Sequence, residues 1–309
     1  MVGNGGIDMK KLTRLLASAL AVTMVLTAAS CAKTPEETEA ETSASETTTE
    51  EETTTTETTE ETTTETSEET EESETSTAVT APEGETFDLE EYPIDLSIDS
   101  YVAALDAVGS DVSYEVDDFL DITDSIKLGD EDAIDQYQDG IAVVCSGDAV
   151  FELIDKFADP VSSDNADFND HLTDVCIFTA ADPYTSDYQI IVMYYAFDDQ
   201  EYLQEWYSSA VAKMIESSDE LFPESDNYDT GMSVYENGDA KAFLAKCALS
   251  DKGLEEYGKP ENSGAYIAFY VNGNSGMYIS ITDFTEDNKA LGMLDDFCDE
   301  MGLMSPRDI

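Results

Sequence analysis

Tyr266-Ile267-Ala268-Phe269-Tyr270-Val271, then Asn272-Gly273-Asn274-Ser275-Gly276, then Tyr278-Ile279-Ser280-Ile281: these residues decide the fold class. β-branched and aromatic side chains fill both apolar runs, and the Asn/Gly-rich break between them is what a tight hairpin turn requires. Leu291, Leu294, Phe297 and Met301 follow at helical spacing, which predicts a helix from about Glu286 with Gly302 as its stop. The stretch is therefore a strand, a turn, a strand and an amphipathic helix.

The same order recurs upstream. Ile141–Cys145 reads as a buried strand, with Val150, Phe151, Ile154, Phe157 and Ala158 at helical spacing before Pro160. Val175–Phe178 and Ile190–Tyr195 flank a turn containing Asp182-Pro183 and Asp187. Asp198 and Glu201 then form a capping-box pattern ahead of a helix carrying Leu203, Trp206, Tyr207, Ala210 and Met214 inward. Asn237-Gly238 joins 232–235 to 240–248 as a hairpin, although Phe243, Leu244, Cys247 and Ala248 also fit a helical face. Near the start, 98–108 reads as a short helix, and Val112, Tyr114 and Val116 alternate like an edge strand. The expectation is an α+β fold: a largely antiparallel sheet with helices on one face, built from ββα units whose likeness suggests duplication.

The first 86 residues carry a different message. Met9-Lys10-Lys11-Leu12-Thr13-Arg14 is a basic segment ahead of an apolar stretch, Leu15–Ala29, too short for a stable span. The stretch ends Leu26-Thr27-Ala28-Ala29-Ser30-Cys31, which resembles the lipobox of bacterial lipoproteins, with Ala28 where leucine is usual. That resemblance covers residues 9–31. It implies cleavage after residue 30, a fatty-acylated (palmitate-bearing) Cys31, and anchorage at the outer face of the cytoplasmic membrane. The alternative is an ordinary signal peptide cut after Ala29 or Ser30, leaving an unmodified Cys31. Residues 1–8 precede the better start at Met9.

Residues 32–86 are almost wholly Thr, Glu, Ser and Ala. They cannot bury enough apolar surface to offset the entropy of ordering. The expected organisation is a signal peptide over 1–30, a lipidated cysteine and disordered tether over 31–86, and one globular domain over 87–309. As a flexible coil the tether reaches at least about 40 Å. The plan resembles tethered surface lipoproteins of Gram-positive anaerobes. The chain carries 71 acidic against 13 basic side chains, a net charge of -58. Such a field repels nucleic acid and anionic lipid, so the expected partners are the membrane, through the lipid on Cys31, and an extracellular protein or glycan.

Chemical motifs are sparse. Cys145, Cys176, Cys247 and Cys298 each lie in an apolar stretch, which favours buried thiols over disulfides. None has zinc-ligand spacing, and His171 is the only histidine. His171 lacks a recognisable nucleophile, since no Gly-x-Ser-x-Gly is present, and reads as a structural residue in a loop entering a strand. Trp206, at helical spacing, reads as core rather than as a sugar platform. Asp130, Asp132, Asp135 and Asp139 invite a calcium reading, because hard cations take clustered oxygen ligands, but they miss the loop spacing that calcium requires. No cofactor and no catalytic residue is implied. The leading expectation is a non-enzymatic binding module for an extracellular ligand or protein. The alternatives are an envelope or extracellular-polymer hydrolase using acidic residues, and a structural envelope component.

Overall fold

Eight strands are formed among the described residues: β1 Asp111–Ser113, β2 Ile141–Ser146, β3 Leu172–Ala181, β4 Tyr188–Phe197, β5 Tyr228–Asn237, β6 Ala240–Leu249, β7 Gly264–Asn272 and β8 Ser275–Asp283. The structure is a computed structural model that describes residues 84–157, 170–185, 187–218 and 225–309, without the side chains of 155–157. The expected signal peptide, Cys31 and the tether as far as residue 83 lie outside the described residues, as do Ala158 and Pro160. Seven helices are described: α1 Ile98–Val108, α2 Val116–Leu128, α3 Glu131–Asp139, α4 Asp148–Phe157, α5 Gln200–Glu216, α6 Asp251–Tyr257 and α7 Lys289–Met301.

The strands form one sheet in the order β1-β2-β3-β4-β8-β7-β6-β5. Among the described strands β1 and β2 pair in parallel, and the other strand pairs are antiparallel. The α+β class and the largely antiparallel sheet are as expected, and 240–249 forms a strand with Asp239 in the turn before it. The order ββα occurs three times, as β3-β4-α5, β5-β6-α6 and β7-β8-α7.

The helices, expected on one face, cover both. Along β7, Tyr266, Ala268 and Tyr270 join one core with Tyr101 and Leu105 of α1 and with Leu291, Leu294 and Phe297 of α7. Ile267, Phe269 and Val271 point the other way, into a second core with Phe119 of α2, Val150 of α4 and Leu203, Trp206 and Met214 of α5. The physical reason is visible in the strands: 265–271 is apolar at every position, so neither side is fit for water. Helices α5 and α7 therefore follow equivalent hairpins onto opposite faces, and the repeat is one of order and not of placement.

Three local readings are corrected. Val116, expected at the end of an edge strand, opens α2, and only the three residues of β1 pair with β2. Asp199, not Asp198, caps α5, accepting from the N–H groups of Glu201 and Tyr202. Helix α7 begins at Lys289 rather than Glu286.

The chain enters the fold within what reads as tether. Glu85 pairs in parallel with Tyr235 on the edge strand β5: its N–H donates to Val234 O at 2.7 Å and its carbonyl accepts from Glu236 N at 2.8 Å. Asn237 Nδ2 donates to Phe87 O, and Asn272 Nδ2 donates to Ile94 O, so both hairpin turns hold this entering strap. Ile94 and Asp95 then donate to Gly302 O and Met301 O at the end of α7.

Candidate functional site

On the α1/α7 face, where β5–β7 meet α7 and the C-terminal residues, lies a cleft of about 710 Å³. Its floor follows from register. Asp229 pairs with Ala248, Gly231 with Lys246 and Lys246 with Tyr266, and directly paired residues present side chains to the same face. Its far wall is Asp295, Cys298 and Asp299, one face of α7, and Leu303, Ser305, Arg307 and Asp308 close it. The closing segment is fixed by Tyr270, whose hydroxyl donates to Met304 O at 2.6 Å. Tyr92, from the entering strap, completes the rim.

Six carboxylates face two cations in this cleft. Both cations are engaged: Lys246 Nζ lies 3.0 Å from Asp229 Oδ2, and Arg307 forms a close pair with Asp295. Asp251, Glu261, Asp299 and Asp308 line the cleft with no side-chain hydrogen bond or ion pair among the described residues. The walls thus carry excess negative charge that the protein leaves uncompensated, which favours an incoming cation or a ligand rich in donors. Burial pushes the Tyr266 phenol up to about 12, opposed by Arg307, and its hydroxyl donates to Asn262 O at 2.9 Å. The Cys298 thiol is also pushed up, first by burial and then by Asp295. Both stay neutral near pH 7 and serve as fixed, uncharged parts of the wall.

The residues singled out in the sequence lie elsewhere. His171 Nδ1 is 2.8 Å from Asp198 Oδ1, and its ring lies against Tyr202 with centroids 4.3 Å apart. That contact ties the start of β3 to the start of α5 and explains why Asp198 does not cap the helix. Trp206 is 5% exposed and packs edge-on to Phe269 and Tyr195, within the α5 core. Cys145, Cys176, Cys247 and Cys298 are free and buried. Cys145 and Cys176 sit on adjacent strands yet belong to opposite cores, so a bridge between them would cross the sheet.

The calcium candidates are not brought together. Asp130 caps α3, accepting from Ala133 N at 3.1 Å, while Asp132 and Asp135 lie exposed on the helix. Asp139 is drawn to Lys289 Nζ at 3.2 Å. A helix spreads these carboxylates along a solvated surface, whereas a calcium loop folds them round one point. Among the described residues no group of three His, Cys, Asp or Glu is placed to hold a metal ion. The cleft itself was not legible: its carboxylates come from five separate segments, and no local spacing marks them.

No family model matches the chain, and no curated protein matches it. Among solved structures it is similar to the extracellular domain of PknH from Mycobacterium tuberculosis, at 9% identity and a TM-score of 0.26, over 71% of this chain and 98% of that one. Among the described residues no helix is long and apolar enough to cross a membrane.

Proposed function

We propose that this chain is an exported lipoprotein, anchored through an acylated Cys31, whose domain is a non-enzymatic binding module. The ligand site is the cleft between β5–β7, α7 and the C-terminal residues. One observation carries the binding reading: a cavity of about 710 Å³ in which both cations are already paired while four carboxylates are not. Polar walls of one sign select a positively charged partner and speed its approach. The anchoring half of the reading rests on the lipobox-like run ending at Cys31.

Two measurements test it. Growth with an alkyne-labelled palmitate is expected to label the chain, and Cys31→Ser to abolish the label; equal labelling of both would remove the anchor. For the cleft, a ligand that binds only the native state raises the melting temperature with concentration. Cationic peptides and amine-bearing wall fragments are expected to give saturable shifts that shrink with salt and in Asp299→Asn/Asp308→Asn. Shifts unaffected by the double variant would move the site away from this cleft. Steady turnover of a wall polymer or glycan by the purified chain would replace the binding reading with the hydrolase.

A further inference from the structure

The cleft opens beside the long edge strand of the sheet, and that edge is only partly used. In β5, Val234 O and Glu236 N point outward to Glu85, and Tyr228 N points outward to Ser225 O. The two-residue hairpin closes on the pair Asn237 and Ala240, which directs the odd-numbered residues of β5 toward β6. Thr230 and Met232, of the other parity, therefore direct their N–H and C=O groups outward, and among the described residues these have no hydrogen-bond partner. Five residues of open edge stand next to an acidic cavity on one face.

We propose that this edge takes an extended lysine- or arginine-bearing segment of a partner protein by strand addition, with every second side chain turned into the cleft. The proposal rests on the reading of the cleft as the ligand site and names what fills it. Strand addition draws affinity from main-chain hydrogen bonds and specificity from pockets for alternate side chains. Both are present here. A strand added along Asp229–Ser233 lies about 4.8 Å outside β5, and its cleft-facing side chains emerge beside Asp229 and Gly231. The Lys246 stem and Ile309 lie within 4.0 Å of the space over Gly231, so the incoming basic side chains approach the acidic cleft past Asp229, whose carboxylate lines it. Charge complementarity selects this partner over a second copy of the chain, whose own acidic edge would be repelled. An edge left flat and unpaired also invites nonspecific pairing, and the surrounding negative charge restricts it to basic strands.

The test uses the full chain carrying Cys31→Ser and a labelled nine-residue peptide of alternating lysine and threonine. A second peptide of the same sequence is N-methylated at every other backbone nitrogen, so that one edge cannot donate. Fluorescence anisotropy is expected to show salt-sensitive binding of the first peptide and at least about tenfold weaker binding of the second. Hydrogen exchange is expected to slow at Thr230, Met232 and Val234 only when the first peptide is present. Thr230→Pro removes one outward donor at an exposed position and is expected to weaken the first peptide similarly; should it not fold, the N-methylated peptide carries the comparison. Equal affinity for both peptides, with loss in Asp299→Asn/Asp308→Asn, would overturn strand addition and leave the acidic cleft standing. No binding of either peptide would overturn both readings. Slow exchange at these amides in the free chain would mean that the edge is already filled, by residues before Gly84 or by a second copy, and would also overturn the proposal.

Discussion

Asp283 ends β8 with no exposed surface, and its two oxygens accept four hydrogen bonds. They come from Thr285 N, Thr285 Oγ1, Ala290 N and Leu291 N, at 2.6 to 3.1 Å. Asn288, the N-cap residue of α7, adopts a left-handed conformation and makes no side-chain cap, so Asp283 supplies the cap from the preceding strand. A negative group at that end also suits the helix dipole. Asp283→Ala leaves two buried N–H groups unpaired and is expected to lower stability by about 3 kcal/mol. Urea unfolding measures it; a loss below about 1 kcal/mol would show that water replaces the carboxylate. Asp283 also explains why α7 starts at Lys289 and not at Glu286, where the sequence pattern places it. Glu286 and Asp287 look like an acidic first turn, whereas the actual cap reaches across seven residues, and no local pattern records that.

Elements differ in how plainly the sequence announces them. The hairpins were legible because Gly238 and Gly273 occupy the first central turn position at φ 65° and 60°, where other residues are strained. Helices α2 and α3 were not, because each buries only two residues, Val116 with Phe119 and Ala133 with Ile134. Leu120, Ile122 and Ile126 extend the apolar side of α2 but stay half-buried, and α3 has only Ala133, Ile134 and Tyr137 among its acids and amides, so its carboxylates read more readily as ligands. Asp130→Ala removes the side-chain cap of α3 and is expected to cost about 1 kcal/mol, while millimolar calcium is expected to leave the melting temperature of both forms unchanged. A saturable calcium shift lost in Asp130→Ala would restore the cation reading. On α5, Trp206→Ala is expected to destabilise by about 3 to 5 kcal/mol through the cavity it opens beside Phe269. A variant of unchanged stability that lost sugar binding would instead make Trp206 a platform.

At the scale of the molecule, a sheet buried on both faces takes most thiols and many phenols out of water. The continuous apolar run of β7 carries that information in the sequence, because a strand without a polar side has no face fit for water. Burial pushes the Cys145 thiol up to about 11, with Glu152 and Glu115 adding to it, and the Cys247 thiol up to about 12. Burial likewise lifts the Tyr228 phenol to about 12. In the unfolded chain these groups titrate near 9.0 for thiols and 10.0 for phenols. The folded values lie above the unfolded ones, so the fold favours the protonated forms. Their contribution is complete below pH 9 and is lost as pH rises toward the folded values of 11 to 12. Urea midpoints are therefore expected to hold from pH 7 to 8.5 and to fall steadily above pH 9. The same burial predicts kinetics: in the Cys31→Ser chain at pH 8, an aromatic disulfide reagent should react with none of the four thiols until denaturant is added. Rapid native-state reaction of Cys145 would place β2 within reach of solvent and undo the two-faced core on that side of the sheet.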